Sequence, residues 1–404
     1  MKLLPPICLA LLLAGAAPTG LAQPAPVAKV EPGKPITPAD LKPLAAALNL
    51  LREGLATPPS QEQMLQAALR GVLREADPDG AYLSPEEVKN LRERSTAQAV
   101  GVGLSLAERQ QRLVVAATVE GGPAELAGVR RGDVLLALDG QSVAGLRSDT
   151  ITRQLRGAAG SELQLLLQRG QEPAPRELRL QRAVLQNAGV TLRMPEPGLL
   201  LLRVPMLNDK TVQESATLLR AQWQAQPVRG MLMDLRGNPG GLLSAAMGLA
   251  TMLLPKGELI GRTVGSSPDS LQEYRAEAAR ATADPLQGLP PALKSLPLLV
   301  LVDEGSASGA EMLAAALQEH GRARLAGHKT EGRGSIQKLQ LLSERGDAIK
   351  YTSAYWETPK GKRLHGVGLQ PDLPLEAATA QEELQQALAL LRRQVQGGGG
   401  AASR

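Results

Sequence analysis

The sequence predicts an α/β core with a mixed, partly parallel sheet, preceded by an N-terminal helical segment and interrupted by a β-rich inserted domain. Three observations carry this. From Gly198 onward, apolar runs such as GLLLLRV, GMLMD and PLLVLVD alternate with helix-like stretches, the pattern of strands buried on both faces. Residues 99–183 instead hold short strand-like runs broken by glycine-rich turns. Residues 44–94 repeat apolar positions at helical spacing.

Lys2 precedes the apolar run LLPPICLALLLAGAA, and small residues follow at Gly20 and Ala22. A basic start, a short apolar core and small residues form a secretory signal, expected over residues 1–22 with cleavage after Ala22. The run is short for a bilayer span, so no integral membrane span is expected in the mature chain. The expected location is the periplasm. The single cysteine, Cys8, lies inside this segment, so the mature chain is expected to hold no thiol, disulfide or Cys-based metal site. Residues 23–43 carry several prolines and no periodicity, and read as a flexible leader.

Residues 44–96 read as the helical domain: LAAALNLLREGL, MLQAALRGVL and PEEVKNLRE. Between the last two lies EADPDGAYLSPEE. Its Asp-Pro-Asp-Gly opens like a calcium loop but lacks the later ligands and the closing Glu, so it reads as a turn. Residues 97–185 form the inserted domain, with strands in AVGVGLSL, RLVVAATV, DVLLALDG and ELQLLLQRG and a short helix in GGPAELAGVRRGD. Residues 186–376 form the α/β core, 377–396 a last amphipathic helix, and 397–404 a tail with nothing to bury.

Composition excludes some functions. The chain has no Phe, two Trp and four Tyr, so it has no aromatic platform for stacking bases. A net charge of +5 over 404 residues, with no long basic run, gives no nucleic-acid partner. Histidine and carboxylate spacing gives no metal site, and no Gly-Lys-Ser/Thr follows NPGG, so neither metal nor cofactor is expected.

GVGL at Gly101–Leu104 is by itself only a turn. With the long run GGPAELAGVRRGDVLLALDG behind it, it resembles a PDZ domain of the bacterial protease-associated type. The resemblance implies a loop whose backbone N–H groups (Gly101, Val102, Gly103, Leu104) receive a chain-terminal carboxylate. It also implies an edge strand that takes the peptide as an added strand. Val102 and Leu104 would line the pocket for the last side chain.

Ser308 lies in GSASGAEML, after a strand-like run and before a helix-like one. A serine there is either an attacking group or a helix cap. DLRGNPGG, SASGAEML with the segment to Gln337, and YTSAYWETPKGKRLHGVGLQPD together resemble the carboxyl-terminal processing peptidases, or tail-specific proteases. The resemblance runs in order over roughly residues 44–376, and DPDGAYLSPEE matches its helical start. It implies a serine endopeptidase with Ser308 as nucleophile, a lysine base in a TxGKG turn, and an orienting glutamine four residues further on, here Gln337. It also implies an oxyanion held by the N–H groups of Gly309 and Gly240.

The base position departs from that pattern. The turn reads TEGRG, so Arg333 occupies the lysine position, 25 residues after Ser308. Arginine stays protonated and cannot accept a proton from serine. Two readings stay open: a tail-cleaving serine endopeptidase, and a non-catalytic relative that binds protein C-terminal tails or assembles with an adaptor or an active homologue. Lys329 and Lys338 are candidates for a relocated base. His320, twelve residues along the helix from Ser308, cannot return to it. His328, His365 and Glu319 read as structural, and Arg322 as a buried ion-pair partner.

Overall fold

The computed structural model describes residues 35–398, apart from 97–99, 110–111, 120, 147, 171, 186–188, 278–283 and 378. The signal segment, most of the leader and residues 399–404 lie outside the described residues. The chain divides into two compact units, Met1–Ala47 and Leu48–Arg404. The described part of the first holds a turn, in which Asp40 accepts from the backbone and hydroxyl of Thr37, and the start of the helix Lys42–Gly54.

In the second unit the helix Gln61–Ala76 opens with a reciprocal cap between Ser60 and Gln63, and a second helix follows at Pro85–Thr96. The inserted domain is built on a sheet in the order Leu104–Arg109, Arg112–Thr118, Val134–Leu138, Glu162–Gln168, Arg176–Gln181. Val115, Leu135, Ile151 and Leu165 fill its own small core. A two-stranded ribbon, Val100–Gly101 against Ala183–Val184, ties its two ends together. Leu104–Arg109 lies at the edge of the sheet, paired among the described residues on one side only.

The core is a six-stranded sheet in the order Thr191–Glu196, Leu199–Arg203, Gly230–Asp234, Leu298–Val302, Arg324–Gly327, Leu373–Pro374. The first pair is antiparallel and the remainder parallel. The unbroken apolar runs follow from this placement. Leu200, Leu202, Met231, Met233, Val300 and Val302 pack with the helices Thr211–Ala225, Leu243–Leu253 and Gly309–Glu319. Leu199, Leu201, Leu232, Leu299 and Leu301 point the other way, against Ala387, Leu388 and Leu391 of the helix Ala380–Gly398. That helix starts at Ala380, later than the sequence pattern suggests, because Thr379 Oγ1 accepts from Glu382 N–H.

A second, antiparallel sheet was not legible in the sequence. The long strand Ala348–Glu357 pairs with Ala81–Leu83, Leu259–Val264 and Ser335–Leu341. It brings the DPDG turn of the helical segment onto the strand that carries Gln337.

Candidate active site

Ser308 stands where the strand Leu298–Val302 has ended and the helix Gly309–Glu319 begins. Its backbone has φ 54° and ψ −119°, a positive φ that L-residues rarely adopt. An ordinary capping serine is extended, so the strain marks this residue as more than a cap.

The preceding loop is fixed from below. Asp303, fully buried, accepts from Gly305 N–H at 2.9 Å and from Gly237 N–H at 2.7 Å. Burial pushes its carboxyl above the usual range. Ser306 Oγ donates to Leu235 O, and Ala307 N–H to Asn238 O. These bonds lock the DLRGNPGG loop to the SASG loop. A Cβ on Gly240 would lie 2.7 Å from Ser308 Cβ and 2.9 Å from Gly309 N, so only glycine permits this approach. Gly240 N–H donates to Asn238 Oδ1 at 2.8 Å, while Gly309 N–H is one of the open donors of the helix's first turn. Asp234 anchors the loop from the sheet. Burial works to raise its carboxyl, but Arg203 and Arg236 hold it below the usual range.

Glu311 joins Ser308 to the TEGRG turn. Its buried carboxylate accepts from Ser308 N–H at 2.9 Å, from Gly332 and Arg333 N–H at 2.8 Å each, and from the Thr330 hydroxyl. Burial pushes this carboxyl up, against the pull of those four donors. Sequence reasoning passed over Glu311. The signal was there: Ser followed three residues later by Glu, before an apolar run, is the capping-box spacing.

The Arg333 side chain lies at the surface. Its guanidinium pairs with Glu331 and is half exposed. Gln337 Nε2 donates to Thr352 Oγ1 at 2.7 Å. Gln337 Oε1 is buried without a hydrogen-bond partner among the described residues. Such an orphan acceptor costs about 1–3 kcal/mol.

The other candidates lie in different surroundings. Lys329 and Lys338 are exposed, and Lys338 points to the opposite face of its strand from Gln337. His320 meets Glu258 at 3.2 Å and Leu259 O at 2.7 Å. His328 meets Glu383 at 3.1 Å. His365 lies 3.6 Å from Asp79 and against the Tyr355 ring. Glu319 accepts from Thr358 Oγ1 and Lys360 N–H. The reading of Arg322 as an ion-pair partner needs correction: it donates to the carbonyls of Leu253 and Leu293, and burial lowers it to about 10.

In the inserted domain Gly101, Val102 and Gly103 are buried and Leu104 is half-buried. Val102 belongs to the domain core, and its carbonyl accepts from Ala124 N–H. Arg109, the last residue of the edge strand, pairs with Glu304, four residues before Ser308. Arg131 pairs with the same Glu304 at 2.6 Å and with Glu383 at 3.6 Å. Burial works to raise the Glu304 carboxyl, but Arg131 and Arg109 hold it below the usual range.

The α/β core and the inserted domain each match a known family. Residues 198–375 match the sequence model of peptidase family S41, and residues 91–168 match that of the PDZ domain. The chain therefore carries a peptidase family S41 domain and a PDZ domain. It is 29% identical over 329 residues to a carboxy-terminal-processing protease of Bartonella bacilliformis, covering 81% of this chain and 73% of that one. It is also 29% identical over 318 residues to a probable CtpA-like serine protease of Staphylococcus aureus. That match covers 78% of this chain and 61% of the relative, less than two thirds of its length. A solved photosystem II D1 C-terminal processing protease aligns with a TM-score of 0.67 at 28% identity, covering 82% of this chain and 86% of that one. Among the described residues no helix is long and apolar enough to cross a membrane.

Proposed function

We propose that this protein is a periplasmic, tail-binding member of the carboxy-terminal-processing architecture whose serine is poised and whose general base is missing. The observation that supports this is the pairing of Arg333 with Glu331, together with a Gln337 Oε1 that is buried without a partner among the described residues. Ser308 would be the nucleophile, Gln337 the orienting amide, and Gly309 the first oxyanion donor. Gly240 would serve as the second only by releasing Asn238. An arginine in the base position can stabilise negative charge but cannot take the serine's proton. The protein thus captures C-terminal tails without rapid turnover, alone or beside an active partner. Cleavage of one unfolded substrate by the wild type and by Arg333→Lys, measured side by side, tests this reading. Strong wild-type cleavage that is lost in Ser308→Ala overturns it.

Tail capture follows from the Gly101–Leu104 loop and the open edge of Leu104–Arg109. The full chain is expected to bind a peptide with a free, apolar C-terminus at least tenfold more tightly than the same peptide amidated, as read by fluorescence anisotropy. Equal affinity for acid and amide would remove the carboxylate loop from the argument. The signal segment gives a further expectation: N-terminal sequencing of exported protein begins at Gln23. Protein in the membrane fraction with Lys2 retained would instead identify an uncleaved anchor.

A further inference from the structure

We propose that Asp77 is a positioning residue for Gln337: through Thr352 it sets the side-chain amide so that Oε1 is left open toward the base. The inference rests on residue 333 being the base position. Asp77 opens the DPDG turn, 275 residues before Thr352 in sequence. Asp77 Oδ2 accepts from Thr352 N–H, and Oδ1 accepts from Asp79 N–H at 3.1 Å and from the Thr352 hydroxyl at 2.9 Å.

Proton counting then fixes the amide. Both oxygens of Asp77 already accept N–H donors, so the carboxylate can only accept from Thr352 Oγ1. That commits the hydroxyl's single proton to Asp77. Thr352 Oγ1 is left with lone pairs alone for Gln337, 2.7 Å away. Of the two ends of the Gln337 amide, only Nε2 can donate. Oε1 is therefore the end turned away, and it is the atom that is buried without a partner. Asp79 braces the same strand by accepting from Ser335 Oγ at 2.9 Å. Two carboxylates of one turn thus hold the strand of Gln337 and its neighbour Ala348–Glu357. A lysine at position 333 would meet an acceptor, because Gln337 cannot rotate.

The test has two arms. In the Arg333→Lys background, Asp77→Asn and Thr352→Val are expected to lower kcat at least tenfold with KM changed less than twofold. Thr352→Ser, which keeps the hydroxyl, is expected to retain activity. An amide carbonyl facing the amine favours its charged form, and an NH2 facing it favours the neutral form. Freeing the amide therefore moves the acid limb of the kcat profile to lower pH, which a loss of folded protein would not do. An unmoved limb, or equal losses in Thr352→Ser and Thr352→Val, overturns the proposal. The second arm needs no cleavage. In the otherwise wild-type chain labelled with ¹⁵N-glutamine, the Gln337 side-chain amide is identified by its loss in Gln337→Leu. Its hydrogen exchange is expected to quicken at least tenfold in Asp77→Asn and Thr352→Val but not in Thr352→Ser. Unchanged exchange overturns the positioning role. Absence of cleavage in Arg333→Lys, with exchange behaving as expected, would instead count against the base position alone.

Discussion

Arg333→Lys is expected to raise cleavage of an unfolded polypeptide with an apolar C-terminus by about 10²–10⁴-fold, the worth of a positioned general base. That is roughly 3–5 kcal/mol of barrier. The backbone at position 333 is already placed, since its N–H and that of Ser308 share one oxygen of Glu311. The acceptor for an amine is also present, in the buried Gln337 Oε1. What the arginine lacks is chemistry: its guanidinium keeps its proton, and here it reaches Glu331 at the surface. A lysine turned inward would be desolvated, which lowers its pKa toward the operating pH. Adding Ser308→Ala must abolish the gain. Lys329→Ala and Lys338→Ala must leave it intact, because both side chains are exposed. A folded Arg333→Lys protein with no cleavage above wild type would show that the site lacks more than its base.

Much of this site was legible in the sequence because its parts are local. The strand–turn–helix around Ser308, the NPGG loop and the TEGRG turn each lie in one continuous segment, and small residues mark them. The inserted domain was legible for the same reason. What stayed hidden depends on pairing across the chain. Nothing in EADPDGAYLSPEE says that Asp77 will meet Thr352, because that contact exists only once Ala81–Leu83 joins Ala348–Glu357. The outward turn of Arg333 was equally hidden, since its identity alone does not choose between Glu331 and Gln337. Arg322 was misread because a buried guanidinium needs acceptors, and the carbonyls of Leu253 and Leu293 serve as well as a carboxylate.

The contacts of Arg109 and Arg131 with Glu304 give the two halves of the molecule a common point. The edge strand that would receive a tail ends on a carboxylate four residues before the serine. That ion pair fixes the end of the edge strand against the loop that leads into Ser308.

Glu311→Ala is expected to lower the stability of the core by at least about 3 kcal/mol and to erase the gain from Arg333→Lys. The argument is a count of stranded donors. Three backbone N–H groups, of Ser308, Gly332 and Arg333, and the Thr330 hydroxyl all end on this one carboxylate. Thr330 Oγ1 also accepts from Leu369 N–H, so its proton has no easy alternative direction. Each buried polar group left without a partner costs about 1–3 kcal/mol, and three are backbone groups that cannot rotate away. The positive φ of Ser308 then loses the bond that holds it, and a strained residue persists only where its surroundings fix it. Urea unfolding should therefore show a lower midpoint with little change in slope. Glu331→Ala, in the same turn but in a surface pair with Arg333, should shift stability by no more than about 1 kcal/mol. Glu311→Gln keeps the shape and one accepting oxygen, so it should recover part of the loss. If Glu311→Ala proves as stable as Glu331→Ala and still permits cleavage in the Arg333→Lys background, the carboxylate does not join nucleophile to base turn.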